Sequence, residues 1–481
     1  MMPPPLPPEL FATLPPAVQA YIRCLKAIVV QQARRTAQLE AQVGTLTARV
    51  AELEAKLNQN SSNTHRPPSS DGPHVKPAPP KKPSGKDRGG QSGHPKHDRV
   101  LLPADETRDR KPIRCRRCCT PLAGEDANPI IDQVIDLPEK LRHVIHYRRH
   151  RLCCPQCQAI TAADPVPDAA SGFGPKLTAA TAYLSGVGRL GKRTIRTLFA
   201  EIFQIPMATG SVCKLEAKVS VGLKALCDEA LEYTRGKDAN VDETGWKEGK
   251  TKAWLWAAVT RLVTVFLIRP NRNRVAFDDL VGPTPGILTT DRFPVYTHLA
   301  AGRRQVCWAH LRRDFQAMVD RDNAGSPVGA DLLVHADTLF EHWQKVRDGT
   351  RTRRWFERKH AGQLRGDVRL LLKRGTGCGC AKTARTCRDV LAAEASLWTF
   401  ASAAGVEPTN NAAERALRHA VCWRKTSYGT DGERGSRFVE RILTVVASCR
   451  AQGRGVLEFL TRAVDPLRGH ADKLTLLPAA A

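Results

Sequence analysis

With 74 Lys plus Arg against 48 Asp plus Glu in 481 residues, the chain carries a formal net charge of +26, a self-repelling excess that calls for a polyanionic partner such as DNA. Its length gives room for roughly two to four domains with a sizeable core, and it has no stretch of about twenty apolar residues to form a transmembrane helix. The start, MMPPPLPPEL, lacks the basic and apolar regions of a secretory signal, so the 15 cysteines are expected as thiols and metal ligands in the cytoplasm rather than as disulfides.

Near the start, Leu25, Val29, Leu39, Val43, Leu46, Val50, Leu53 and Leu57 step by three and four, with Gln32 and Thr36 at the weaker seam positions. Valine at a and leucine mainly at d favour a parallel dimer, so a coiled coil is expected over 18–57. The alternative is an amphipathic helix packed on a core, which shares this spacing over shorter runs. Residues 58–98 hold eight prolines and many Ser, Gly and Lys. Such a segment buries too little to offset ordering, and it is expected as a disordered basic linker.

The segment 101–167 carries Cys115-x2-Cys118 and Cys154-x2-Cys157. Each pair can clasp one side of a tetrahedral Zn²⁺, and two pairs make a closed structural site with no open position for chemistry. Cys119 and Cys153 adjoin the pairs, so the ligand register is open by one residue, and buried free cysteines are the ordinary alternative. Cys378-Gly-Cys380 with Cys387 fits metal spacing poorly and is assigned none.

A helical region follows over 174–235, with apolar positions at Leu177, Tyr183, Leu184, Val187 and Leu190. Strand signals then crowd together: 239–241, AWLWAAVT, VTVFLIRP and GILTTD. The two middle runs are separated by a short turn at 261–262, which suggests a hairpin. One more short strand is expected at 304–308, then a basic helical insertion over about 331–402, and helix again after Glu414.

Three acids stand in unlike settings: Asp242 in VDETGW, Asp291 in ILTTDRFPVY and Glu414 in TNNAAERALR. Each has an ordinary reading. Asp242 would end its strand and cap a turn at Thr244-Gly245, Asp291 would cap a helix starting near Phe293-Pro294, and Asn411 with Glu414 resembles a capping box. Their order along the chain suggests otherwise. An Asp on a first strand, two further strands, an Asp ending a later strand and an acid on a late helix is the ribonuclease-H-like plan. Carboxylates are hard oxygen donors suited to Mg²⁺, and gathering three without cations would raise their pKa values.

These phrases, with NSSNTHRPPSSDGP, the paired cysteines, CWAHLRRDF and TNNAAERALRHAVCWRK in this order, resemble transposases of the insertion-sequence-66 family, DDE-type recombinases, over nearly the whole chain. The resemblance implies an α/β fold: a ribonuclease-H-like mixed sheet over 236–430 with its helical insertion, then a C-terminal helical region over 431–481. Coiled coil, linker, small zinc ribbon and a helical DNA-binding region would precede it. Asp242, Asp291 and Glu414 would be the catalytic triad holding two Mg²⁺, and Cys115, Cys118, Cys154 and Cys157 would hold one structural Zn²⁺. Implied partners are transposon-end and target DNA, a second copy through the coiled coil, and accessory proteins, in a bacterial, nucleoid-associated setting.

Around the triad, Arg312, Arg313, Arg415, Arg418, Arg424 and Lys425 are candidate phosphate contacts, a solvated basic face being the alternative for any one of them. His310 is a candidate for DNA or scissile-phosphate contact, or else a structural histidine at a helix start. Asn410 and Asn411 are expected to set the start of the Glu414 helix, and Trp246 is read as a core aromatic. Arg292, where the family usually has glycine or a similar residue, and the doubled cysteines are departures. Two rival readings are a zinc-containing DNA-binding regulator with an inactive core and a metal-dependent nuclease without strand transfer.

Overall fold

The computed structural model describes residues 7–59, 102–109, 111–114, 116–128, 131–135, 137–138, 141–164, 172–283, 285–465 and 474–478. The expected linker from residue 60 onward, Cys115 and parts of the C-terminal region lie outside the described residues. The chain divides into two units, 1–82 and 83–481.

In the first unit a short helix, α1 (Pro8–Ala12), precedes α2 (Pro16–Leu57), 42 residues long. Pro16 opens α2, where the missing N–H breaks no helical bond. Good helix formers carry it onward without a further proline until Asn58. The apolar seam residues Leu39, Val43, Leu46, Val50 and Leu53 are all exposed in the single chain.

The second unit opens with a hairpin of β1 (Arg151–Cys153) and β2 (Ile160–Ala162). Three helices follow: α3 (Pro175–Gly186), α4 (Lys192–Glu201) and α5 (Thr209–Thr234). Then comes a five-stranded mixed sheet of β3 (Ala239–Glu248), β4 (Thr251–Val259), β5 (Thr264–Arg269), β6 (Leu288–Thr290) and β7 (Arg304–Val306), in the order β5-β4-β3-β6-β7. β3, β4 and β5 form an antiparallel meander, while β3, β6 and β7 run parallel. The helix α6 (Arg274–Val281) links β5 to β6, capped by the Asn273 side chain, which accepts from the Ala276 N–H at 3.1 Å. This arrangement is compatible with the ribonuclease-H-like plan.

The expected hairpin at 261–262 is present, with Val259 opposite Thr264. The first strand is longer than its apolar run suggests. β3 does not end at Asp242, and no turn lies at Thr244-Gly245: Gly245 pairs with Trp254, and the strand continues to Glu248. Trp246, 3% exposed, anchors this extension in the core, and Gly249 (φ +56°) takes the left-handed turn conformation that glycine adopts without strain.

After β7 come α7 (Trp308–Val319), α8 (Ser326–Arg347), α9 (Arg353–Phe356), a π-helical stretch Glu357–Ala361, α10 (Gly362–Gly375), α11 (Ala381–Ala392), α12 (Glu394–Leu397) and α13 (Thr399–Ser402). These helices build their own core, centred on Trp308, Phe315, Trp343, Phe356, Trp398 and Phe400. Trp343 meets the Phe400 ring edge to face at 4.7 Å, a favoured aromatic geometry. The chain then returns to the sheet as α14 (Asn411–Ser427), α15 (Glu433–Ala451) and α16 (Val456–Val464). They complete a second core with the sheet, α3 and α5, whose members include Leu223, Val241, Trp256, Leu417 and Ile442. Among the described residues no helix is long and apolar enough to cross a membrane.

Candidate active site

The parallel ladder between β3 and β6 pairs Ala239 with Leu288 and Asn240 with Thr289. Asp242 and Asp291 each lie two residues beyond the last pair, so the register carries them to the same edge of the sheet. Asp242 sits within β3, and one of its oxygens accepts the Glu243 N–H at 2.9 Å. Asp291 follows β6 directly and accepts the Phe293 N–H at 2.9 Å. That bond closes a local turn ahead of the short 3₁₀ helix Pro294–Tyr296, whose N-cap is Phe293 and not Asp291, and which no side chain caps.

Glu414 lies in the first turn of α14. The capping box does not form: Asn410, not Asn411, is the N-cap, and its side chain makes no cap bond. It is fully buried and turned to the sheet instead, donating to the Val241 carbonyl at 2.8 Å and accepting from the Asn240 amide at 3.1 Å. The start of α14 is thereby fastened beside Asp242. Freed from capping, the Glu414 carboxylate accepts from Arg313 Nη2 at 3.0 Å, with His310 Nε2 at 3.6 Å.

The neighbouring acids act on Asp242. The Asp242 carboxyl is pushed well above the usual carboxylate range, first by burial, then by the charges of Glu243, Asp291 and Glu414. Burial and the Arg313 charge hold the His310 imidazole below its usual pKa, against the pull of Asp291, Glu414 and Asp314. Its Nδ1 is buried without a hydrogen-bond partner among the described residues. A cation among the carboxylates would relieve the repulsion that raises Asp242. The donor set, three carboxylates, is of the hard-oxygen kind that Mg²⁺ takes. Among the described residues, however, no three His, Cys, Asp or Glu side chains are gathered tightly enough to hold a metal as they stand.

Glu243 was not singled out by the sequence. Its side chain is wholly buried, bound by Arg272 and by the Tyr296 hydroxyl. The sequence signal was an acid at a core-facing step of the alternation Ala239, Val241, Glu243.

Of the candidate phosphate contacts, Arg415, Arg418 and Lys425 are exposed along α14. Arg312 is paired with Asp337 at 2.7 Å, Arg313 with Glu414, and Arg424 donates to the Gly245 carbonyl of β3. Arg292 pairs with Asp314 at 2.7 Å. Trp246 is a core aromatic whose indole N–H meets Thr430 Oγ1 at 3.3 Å.

In the cysteine segment, Cys154 and Cys157 lie in the loop of the β1–β2 hairpin, closed by Cys154 N–H to Ala159 O and Gln158 N–H to Cys154 O, both 2.9 Å. The backbone N–H groups of Cys157 and Gln156, in that order, pull the Cys154 thiol pKa down. Across the segment, Arg114 bridges to Pro121 around Cys118. The residue after each second cysteine is left-handed, Cys119 at φ +60° and Gln158 at φ +58°.

Residues 170–437 match the model of the Transposase IS66 family. The chain belongs to this family. The IS66 match spans α3 to α5, the sheet, the helical insertion and α14, and so takes in Asp242, Asp291 and Glu414. Residues 13–100 match a family of unknown function, DUF6444. Among curated proteins, the chain is 26% identical over 269 residues to Uncharacterized protein y4qI of Sinorhizobium fredii (strain NBRC 101917 / NGR234), half of each chain being covered. It thus spans about half the length of that relative.

Proposed function

We propose that this IS66-family chain is a DNA transposase that binds transposon ends and carries out metal-dependent cleavage and strand transfer, with Asp242, Asp291 and Glu414 as its metal-holding acids. The observation that carries the reading is geometric: the β3–β6 register brings Asp242 and Asp291 onto neighbouring parallel strands, and the Asn410 bond to the Val241 carbonyl fastens the start of α14, with Glu414, beside Asp242, although 49 and 172 residues separate Asp291 and Glu414 from Asp242 in sequence. Magnesium bound there supplies an activated water or hydroxyl and neutralises charge on the leaving oxygen.

The chain's own residues bind and orient. Asp242 and Asp291 present carboxylates from adjacent parallel strands, and Asn410 keeps the α14 start, with Glu414, against β3. Arg313 orients the Glu414 carboxylate, and His310 beside it is read as a contact to the scissile phosphate. Arg415, Arg418 and Lys425, at positions i, i+3 and i+10 of α14, offer cations to the DNA backbone next to the acids. Attack of water on the phosphodiester at the element end breaks its P–O3′ bond and frees a 3′-hydroxyl, and that hydroxyl attacks a target phosphodiester, displacing the target strand's own 3′-oxygen as the new bond forms. Positioning and fixed charge suffice, without a covalent protein intermediate.

The helical region 174–235 is read as DNA-binding, with Arg193, Arg196 and Lys214 exposed on α4 and α5. The segment 101–167 is read as a zinc ribbon, and 18–57 as a coiled coil. Cys115, Cys118, Cys154 and Cys157 are read as its zinc ligands, with the register open by one residue at Cys119 and Cys153.

The test supplies labelled element ends, Mg²⁺ and a target plasmid. The unsubstituted chain is expected to join ends to target, and Asp242→Asn to lose joined products while still retarding end DNA on a gel. Normal joining by Asp242→Asn would overturn the assignment of the acids. Cut but unjoined products would make the chain a nuclease, and binding alone a DNA-binding regulator.

A further inference from the structure

Asp242 and Asp291 come from strands joined by only two backbone pairs, and both acids lie past the end of that ladder. The hydrogen bonds between β3 and β6 therefore stop short of both acids. Beyond Asp291 the chain leaves the sheet at once for the 3₁₀ helix Pro294–Tyr296. Something else must tie that departing segment to β3.

Glu243, the residue next to Asp242, supplies the tie. Successive strand residues face opposite ways, so Glu243 reaches behind the sheet face that carries Asp242. Its side chain has no exposure, and both oxygens are engaged: Oε1 accepts from Arg272 Nε at 2.6 Å, and Oε2 accepts from the fully buried Tyr296 hydroxyl. The Arg272 guanidinium, held by this bond, lies 3.5 Å from the Phe293 ring centre and 4.9 Å from that of Trp254. Phe293 in turn donates its N–H to the Asp291 carboxylate. The Asp291 segment is thus fastened to the neighbour of Asp242 twice, directly through Tyr296 and indirectly through Phe293 and Arg272.

We propose that Glu243, Arg272 and Tyr296 form a buckle that sets the spacing of Asp242 and Asp291 and thereby the affinity of the acid site for divalent cations. The inference rests on the reading of those acids as a metal site. Glu243 is a positioning residue, not a fourth ligand, because its two oxygens are already committed to an arginine and a phenol. Groups that orient ligands from behind typically change metal affinity by about tenfold to a hundredfold.

The experiment measures Mn²⁺ affinity of the full chain by electron paramagnetic resonance of the free ion, without DNA. It compares the unsubstituted protein with Asp242→Asn, Tyr296→Phe and Arg272→Lys. Tyr296→Phe keeps the ring and removes only the donor, and Arg272→Lys keeps the charge but not the planar fork or stack. Both are expected to weaken Mn²⁺ binding about tenfold at temperatures where each variant is still fully folded, the thermal midpoint falling somewhat because the buried Glu243 loses a partner. Strand transfer by both should return as Mn²⁺ is raised by a similar factor, a rescue that a merely structural role would not show.

Unchanged Mn²⁺ affinity in Tyr296→Phe and Arg272→Lys, with binding lost in Asp242→Asn, overturns the buckle and leaves the acid site standing. Binding lost only in step with unfolding, and not recovered at high Mn²⁺, also overturns it. Mn²⁺ binding that survives Asp242→Asn unaltered overturns the underlying reading instead.

Discussion

Asn410 joins three stretches of chain that are remote in sequence. Its side chain bonds the Val241 carbonyl and the Asn240 amide, and its backbone N–H meets the Cys307 sulfur at 3.1 Å. A buried polar group left without its partner costs about 1–3 kcal/mol. Asn410→Ala strands the Val241 carbonyl and removes the Asn240 contact, so the folded state should lose about 1–3 kcal/mol. Thermal and denaturant unfolding of the variant measure this, and a loss below about half a kcal/mol would show that other contacts hold the start of α14. The sequence pointed to this asparagine pair, but with the cap one residue late. The local pattern Asn411-x-x-Glu414 imitates a capping box, whereas the partners that decide the matter lie about 170 residues upstream. No local spacing carries that information.

At the scale of elements, α15 closes the exposed edge of the sheet. Edge strands leave a row of unpaired N–H groups, and here three of them are met by helix side chains. Ser448 Oγ accepts from Thr264 N–H and Thr444 Oγ1 from Phe266 N–H, both at 3.0 Å, and Glu440 accepts from Ile268 N–H. Four residues of helix advance about 6.0 Å and two of strand about 6.6 Å, so positions 440, 444 and 448 keep step with 268, 266 and 264.

Burial against the strand pushes the Glu440 carboxyl from its ordinary 4.5 up to about 6, against the pull of Arg437, the Ile268 N–H and Arg269. A folded pKa above the unfolded one means that the folded chain holds the proton more tightly. The contribution is therefore full below the ordinary value and is lost as pH rises through about 6. Glu440→Gln keeps an acceptor for Ile268 but cannot ionise. Relative to the unsubstituted chain it should gain about 2 kcal/mol between about pH 4 and about pH 8, at about 1.4 kcal/mol per pKa unit. Paired denaturant titrations at the two values read the difference, and a flat difference would refute the shift. The strands and helices themselves were legible from apolar runs and periodicity. The ladder was not, because Glu, Thr and Ser at four-residue spacing read as an ordinary polar helix face until an edge strand lies beside them.

The molecule as a whole divides its apolar surface unevenly. The second unit buries its own in the sheet core and in the separate core of the insertion. The first unit leaves Leu39, Val43, Leu46, Val50 and Leu53 each at least half exposed along one seam of α2. The long helix and its seam were legible because a heptad is a local pattern. What fills the seam was not, because a heptad pattern does not name its partner. Isolated helices gain most of their stability from packing an apolar face, and a seam with Val at a and Leu at d is best satisfied by an identical helix in parallel. The unsubstituted protein is therefore expected to sediment at about twice its 52.9 kDa chain mass. Leu46→Lys places a charge at a d position in the middle of the seam, where burial without a partner is costly, and should bring the mass down to that of one chain. The thermal midpoint of the second unit should stay where it is, since its described cores are built from its own residues. A variant that still sediments as a dimer would assign association to another surface, and a monomeric unsubstituted chain would leave the heptad as an amphipathic helix awaiting a different partner.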